Sequence, residues 1–511
     1  MKTLLIRPPA NFREHGMSPE IGLPLGILYI AAVMEENSLP VSIIDGQLGT
    51  VYPQDDGYNI GIPWDELEQR IVEEQPRIVG ISNPYSVQLG NALQLAKLVK
   101  RIDPTIMVIA GGPHATVQPE SFLQEGSGVD IAVMGEGEHT MLELVRRLIG
   151  KNTIDDIPGV VTRSNRNRPN KAEHIQNLDE LPFPAYHLID LEEYFELAHQ
   201  GLDGRPRFWY PGAERSLSMI TSRGCPYNCT FCSIHLHMGR ILRKHSAAYV
   251  LKHINHLVNT YKVKHLHLED DNLMLDRSRF LEILSGIDAM SEKITWDTPN
   301  GVRAHNLDVE TVRFSKKTGC NYLIVGVESG DQQVLDTIVN KKLKLEDVYK
   351  AAINCEKNGM DLEAFFVVGF PGETQENIHT TINYGLDLLR KHGVYPYFFV
   401  ATPLVGTRLY RICLEKGYLV KPITADNLAV STQGVGMIRT PEFEPDWLNA
   451  LVSKTKSRVK LLLIKRFFKR LLMHPGALVP TLIYALRPPV GHKLRNLLRY
   501  PNKTAEYIKA D

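Results

Sequence analysis

Short apolar runs rich in Ile, Val and Ala recur through the first 150 residues, and a stretch of helical periodicity follows each. The strand-like runs are Lys2–Ile6, Val41–Ile44, Arg77–Ile81, Ile106–Ala110 and Asp130–Val133. Apolar positions three and four apart mark helices at Leu25–Asn37, Trp64–Glu74, Val87–Arg101 and Glu138–Ile149, with a short piece near Pro119–Gln124. Continuous apolar strands between amphipathic helices imply a parallel sheet covered on both faces. Ligands of such sheets bind outside the carboxyl ends of the strands.

Residues 151–212 break this rhythm. They are rich in Pro, Asn and Asp, and Leu181-Pro-Phe-Pro-Ala-Tyr186 reads as an extended strap between domains. A second alternating series occupies 213–420. Its strands are expected at Leu217–Thr221, Lys264–Leu268, Ile294–Asp297, Tyr322–Val327, Glu363–Val368 and Tyr395–Val400. Its clearest helices are Ala247–Tyr261, Leu345–Asn358 and Glu376–Lys391. Six β-α units suggest a partial, open barrel of parallel strands, whose chemistry sits at the carboxyl ends. Residues 421–511 form a basic, mainly helical region. On a helix, Leu461, Ile464, Phe467, Phe468, Leu471 and Leu472 fall on one side, and Arg458, Lys465, Arg466, Lys469 and Arg470 on the other. That is the composition of a helix lying in a membrane interface. A helix packed on the barrel with its basic side in water fits equally. A second apolar stretch, Ala477–Leu486, is too short to span a bilayer.

Composition narrows the class. The chain has 511 residues, 43% hydrophobic and 23% charged, with a formal net charge of zero. The balance points away from nucleic acid. No apolar run is long enough to span a membrane, and six cysteines without a secretory leader read as a cytoplasmic chain, with the tail offering contact at the inner face of the membrane.

Three of those cysteines stand together in Thr221-Ser-Arg-Gly-Cys-Pro-Tyr-Asn-Cys-Thr-Phe-Cys232. Thiolates at Cys225, Cys229 and Cys232 can hold three irons of a four-iron cluster and leave the fourth open to a small molecule; four cysteines would close it. A zinc site with His235 as the fourth ligand is the alternative, although structural zinc sites favour paired C-x2-C units. Cys320, Cys355 and Cys413 are scattered and read as small buried residues. One cluster is therefore expected.

Polar or glycine-rich groups follow each barrel strand: the cysteine loop, Glu269-Asp-Asp-Asn272, Arg303, Glu328-Ser-Gly330, Gly369-Phe-Pro-Gly-Glu373 and Thr402–Thr407. In the first domain Gly111-Gly112-Pro-His114 and Gly135-Glu-Gly-Glu138 occupy strand ends, where glycine permits close approach of a ligand or simply a tight turn.

The cysteine loop, including Phe231, resembles that of the radical S-adenosylmethionine (SAM) superfamily. With Gly22-Leu-Pro-Leu-Gly26, Ala110–His114 and Gly135–Glu138, residues 1 to about 420 resemble its cobalamin-dependent members. The fold implied is α/β: an N-terminal Rossmann-like cobalamin-binding domain, a partial (β/α)6 radical SAM barrel and a helical C-terminal tail. The cofactors implied are a [4Fe-4S] cluster on Cys225, Cys229 and Cys232, SAM and cobalamin. By the same resemblance Asp270, Asp271 and Asn272 would meet the SAM ammonium, Arg303 its carboxylate, Glu328 and Ser329 its ribose, and backbone from Gly369 its adenine. Gly111, Gly112 and Gly135 would border cobalamin. Gln47 stands where many cobalamin proteins carry a histidine ligand to cobalt, so the corrin would bind without one. The activity implied is methyl transfer to an unactivated carbon of a small-molecule, natural-product or lipid (isoprenoid) substrate, fed by a flavodoxin- or ferredoxin-type reductant. A radical cyclase or oxidase shares the architecture, and a non-catalytic cobalamin or iron–sulfur sensor is a further reading, against which the set of SAM-type rim residues argues.

Overall fold

A computed structural model describes residues 1–13, 22–54, 57–200, 215–320, 322–424, 427–428 and 435–473. The first unit contains β1 (Thr3–Arg7), β2 (Ala10–Arg13), β3 (Val41–Asp45), β4 (Thr50–Gln54), β5 (Gly57–Gly61), β6 (Ile78–Ser82), β7 (Met107–Gly111), β8 (Ile131–Val133) and β9 (Val160–Val161). Six of them form one sheet in the order β3-β1-β6-β7-β8-β9. The first five are parallel, and β9 closes the edge antiparallel. Alternate side chains enter separate cores. Leu4, Ile6, Val79 and Val108 face one layer of helices, and Leu5, Ile78, Ile109 and Ile131 the other. Burial on both faces explains the unbroken apolar runs.

Two features were not anticipated. β2, β5 and β4 form a small antiparallel sheet beside the main one. The stretch 151–200 is also more than a strap. It supplies β9 and the helix Leu191–Gln200, from which Tyr194 donates a hydrogen bond to Asp45. Phe183 stacks on His253 with ring centres 4.4 Å apart, and Tyr186 is buried against the same helix, Ala247–Tyr261.

The second unit contains β10 (Ser216–Met219), β11 (Ser222–Arg223), β12 (Arg243–Lys244), β13 (His265–Leu268), β14 (Thr295–Asp297), β15 (Tyr322–Glu328), β16 (Asp361–Val368) and β17 (Tyr395–Val400). The six longer strands run parallel in two groups, β10-β13-β14 and β15-β16-β17. Isolated bridges Trp296–Cys320 and Val302–Val325 join the groups into an open half-barrel. Leu266, Leu268 and Trp296 face the outer helices, so His265, His267 and Asp297 point into the lumen, where both imidazoles and the Tyr322 hydroxyl bond the Asp297 carboxylate. Ser246, Asp276, Asp308, Thr374 and Thr407 cap helix starts, and at Thr374 the cap is reciprocated by Asn377.

The C-terminal helix spans Pro445–Met473. Its inward face differs from the one expected. Val459 and Leu463 are buried in the barrel core, and Arg466 turns inward, donating through Nη1 to the carbonyls of Leu389 and Arg390 at 3.2 Å each. These carbonyls end the helix Gln375–His392, where a cation is favoured. Leu461, Ile464, Phe468 and Leu472 are left exposed. The apolar positions cover more of the helix than one contact can bury. The stretch Ala477–Leu486 lies outside the described residues. No described helix is long and apolar enough to cross a membrane.

Arg466→Ala is expected to lower stability by about 1 kcal/mol, the worth of a charged cap and its packing. A lower denaturation midpoint without a change in slope is the measurement.

Candidate active site

The cysteine loop leaves the end of β10 and returns at β12, so the two-residue pairing of β11 with β12 brackets it. Gly224 (φ +88°) opens the loop; a Cβ there would lie 2.4 Å from the Ile241 carbonyl, so only glycine fits. The Cys225 amide donates to Gly239, and Thr230 is tied by its amide and hydroxyl to Val339 and Ile338. Phe231 packs at 5.7 Å from Phe370. The three cysteines are half-buried and unpaired by disulfides. Burial pushes Cys232 up to about 12 and raises Cys229, so a bound metal, not the bare loop, would keep three thiolates together.

The geometry discriminates between metals. Among the described residues, the one trio of His, Cys, Asp or Glu ligand atoms lying within 4.8 Å of one another is His265, His267 and Asp297. The three cysteine sulfurs therefore do not all lie within 4.8 Å of one another. Zn–S bonds of ~2.3 Å would need tetrahedral sulfurs ~3.8 Å apart. The cysteine sulfurs are not gathered as closely as a tetrahedral zinc ion would require.

Around this loop the rim residues separate into two groups. Asp270 is occupied: its carboxylate accepts from the Thr221 and Ser222 hydroxyls and the Thr221 amide, so it braces the strand before the cysteines. Ser329 is likewise taken up by Thr381 and the Asp331 amide. The Gly369 amide donates to Glu373 Oε2 at 2.8 Å. Arg303 does not present its fork to the rim. Nη2 donates to the carbonyls of Lys341 and Lys342, and the guanidinium lies 3.7 Å from the centre of the Tyr227 ring, inside the cysteine loop. Glu328, in the left-handed region at φ +70°, accepts from Lys341 Nζ at 2.6 Å. Lys341 is a rim cation that nothing in the sequence singled out.

The second group has capacity to spare. Asn272 reaches Cys225 Sγ at 3.9 Å through Nδ2, while its Oδ1 has no partner. Thr298 Oγ1, Arg303 Nε and Glu373 Oε1 are also buried and unpartnered. Asp271 accepts one bond, from the Gly224 amide. Native interiors rarely leave such atoms unpaired without a ligand or water to take them. Four of them at the carboxyl ends of one barrel suit a small polar ligand beside the cysteines. Thr298 had no sequence signal beyond following a strand.

A cavity of about 200 Å³, open to solvent, lies at the carboxyl ends of β6, β7 and β8. Gly111, Gly112 and Gly135 line it together, as does Tyr29. Its far wall comes from the barrel unit, through Ile220, Ser222, Arg223, His237 and Met238. A Cβ on Gly112 (φ +109°) would meet the Asn83 carbonyl at 2.6 Å. His114 is unavailable as a metal ligand: Ser86 and Ser121 bond its two ring nitrogens. Gln47 is buried against Gln88, away from the cavity lining. A mostly apolar cleft rimmed by glycines suits close approach of a bulky planar cofactor, and His237 and His245 also line it.

Comparison with known proteins agrees with this geometry. Residues 18–145 match the B12 binding domain, and residues 219–385 match the radical SAM superfamily. The chain is 32% identical over 424 residues to an uncharacterized methyltransferase of Pyrococcus horikoshii, covering 82% of this chain and 84% of that one. It is 29% identical over 476 residues to the cytidylyl-2-hydroxyethylphosphonate methyltransferase of Streptomyces wedmorensis, covering 86% of each. Among solved structures, the cobalamin-dependent SAM radical enzyme OxsB has the same fold, with a TM-score of 0.68 at 18% identity over 100% of this chain and 78% of that one. A B12-binding sheet joined to a radical SAM half-barrel defines the class. The chain belongs to the family of cobalamin-dependent radical SAM enzymes, and its cofactors are a [4Fe-4S] cluster, SAM and cobalamin.

Replacing Cys225, Cys229 and Cys232 together with Ala should abolish the brown iron–sulfur chromophore, whereas Cys355→Ala should keep it; iron and sulfide analysis after anaerobic purification is the check. Glu373 supplies a pH test. Burial pushes its carboxyl from 4.5 up to about 7, despite bonds from the Phe370 and Gly369 amides. The folded protein thus binds the proton more tightly than the unfolded chain. The stabilisation is complete below about pH 4.5 and is lost as pH rises through about 7. Glu373→Gln keeps the carbonyl acceptor and should flatten that slope in denaturation measured across this range.

Proposed function

We propose that the chain transfers a methyl group from SAM to an unactivated carbon of a small natural-product or lipid substrate, with Cys225, Cys229 and Cys232 holding the cluster. The observation that carries the reading is the placement of two sites: the cysteine loop and the glycine-rimmed cavity share the β11–β12 wall, through Ser222 and Arg223. When bound, the cluster and SAM supply a 5′-deoxyadenosyl radical able to open a C–H bond, and cobalamin carries the methyl group.

The residues bind and orient. Asn272 Oδ1 and Asp271 offer acceptors to an ammonium beside Cys225. Lys341 neutralises Glu328 and gives the rim a cation close to Cys229. Arg303, stacked on Tyr227, stiffens the cysteine loop from below and keeps Nε for a ligand. Gly369 and Phe370, oriented by Glu373, shape the wall opposite. Both relatives reported above are named as methyltransferases, which supports methylation over ring closure.

Supplied with reductant and methyl-labelled SAM, the enzyme should release 5′-deoxyadenosine and S-adenosylhomocysteine in equal amounts, with label in an organic product. 5′-Deoxyadenosine alone would indicate a cyclase or oxidase.

The exposed stripe Leu461, Ile464, Phe468 and Leu472, flanked by exposed Lys460, Lys465 and Lys469, supports reversible contact with an anionic membrane surface. Because the same helix also fills the barrel core, truncation would confuse folding with binding. The double substitution Leu461→Glu with Phe468→Glu, on the outer face alone, should leave the fold intact and abolish sedimentation with anionic vesicles at low salt.

A further inference from the structure

Four charged side chains are buried where the two units meet, and the chemistry of the rim residues does not use them. Arg223 and Arg243 face each other in the β11–β12 pairing, one at each foot of the cysteine loop. Both reach across to the Gly135–Glu138 turn that follows β8. Arg223 Nη2 donates to Glu138 Oε1 at 2.6 Å, and its Nη1 lies 3.1 Å from Glu136 Oε1. Arg243 Nη1 bonds both Glu136 oxygens, at 2.8 and 2.7 Å, and also the Ile175 carbonyl. Glu136 Oε2 accepts from the Ile175 amide as well, at 2.7 Å. Every one of these side chains is 8% exposed or less.

The network is balanced, two cations against two anions. Burial pushes the Glu136 carboxyl up, but Arg243 and Arg223 outweigh it and hold it below the ordinary range, so the pair stays ionised. A buried charge network of this kind is weak evidence for stability. Its best-supported use is to specify one arrangement over others. The arrangement here joins the loop that carries the three thiolates to the turn that lines the glycine-rimmed cavity. Glu136, Glu138 and Arg223 themselves border that cavity.

We infer that Arg223, Arg243, Glu136 and Glu138 are positioning residues that lock the cysteine loop to the cavity turn, setting how the two cofactor sites face each other. The inference rests on the assignment of the cluster to the cysteines and of cobalamin to the cavity. A stabilising contact alone could sit anywhere on the interface. This one grips both feet of the one loop and the one turn whose separation governs transfer between the two sites.

The test uses the full chain loaded with both cofactors, and measures cofactor content separately from coupling. Glu138→Gln, Arg243→Lys and the paired Glu138→Gln with Arg223→Met, which removes one charge of each sign, are compared with wild type. Glu35→Gln, at an exposed contact between the helix Leu25–Glu36 of the first unit and His187 of the connecting stretch, is the control. Iron, sulfide and cobalamin are quantified first. Pulsed electron paramagnetic resonance then reads the relaxation enhancement that the reduced cluster imposes on the one-spin cob(II)alamin. Full cofactor content with loss of the enhancement in the variants, and not in the control, is the expected result. Full content with wild-type enhancement in the paired variant would overturn the inference. So would loss of a cofactor from that soluble variant, because the residues would then be binding groups and not positioning ones. Wild type lacking either cofactor would instead refute the assignment on which the inference rests.

Discussion

Two parallel sheets must present their carboxyl ends to each other, and the rest of the molecule follows from that constraint. In an open parallel sheet only the carboxyl ends are free to bind ligand, because helices cover both faces. A reaction that needs two bulky cofactors therefore needs two such ends placed opposite. The chain solves this with the stretch 151–200, which returns an edge strand, β9, to the first sheet and then packs Phe183 and Tyr186 on the barrel helix Ala247–Tyr261. Between the sheets lies the Arg–Glu network, buried and complete in its pairing.

The rim of the half-barrel shows how binding capacity is kept. Most polar atoms near the cysteines serve the scaffold: Asp270 braces the loop, Ser329 ties a turn, and Glu373 orders two amides. A few are buried with nothing to bond, at Asn272, Thr298 and Arg303. Their desolvation is unfavourable in the protein alone and is relieved when a polar ligand bonds them, so those hydrogen bonds add more to ligand affinity than bonds to solvated groups would. The π-stacked Arg303 serves both purposes at once, with one nitrogen on the scaffold and one without a partner.

The C-terminal helix carries two conflicting demands along one surface. Its apolar residues exceed what one contact can cover, and the barrel claims Val459, Leu463 and the Arg466 cap. Gly393 lies so close to that cap that a Cβ would stand 2.5 Å from Arg466 Nη2. Leu461, Ile464, Phe468 and Leu472 are the remainder, and they form a stripe open to solvent.

The alternation of apolar runs and amphipathic helices determined both parallel sheets, because a strand buried on two faces cannot hide its composition; the main strands fall within two residues of their expected ends. The C-x3-C-x2-C spacing and the glycine turns were equally legible, being local requirements of a loop. Short-range pattern could not reveal which charged groups are free. Asp270 and Asp271 are neighbours in sequence, yet a partner 49 residues away occupies the first, while the second faces the loop. Lys341, Thr298 and the role of Arg303 depend on strands that meet only when the half-barrel closes. The β2-β5-β4 sheet and the two-residue β11–β12 pairing were too short for any periodicity to register. Burial pattern is written along the chain; the availability of a polar atom is decided by whichever distant group arrives beside it, and that only the tertiary structure settles.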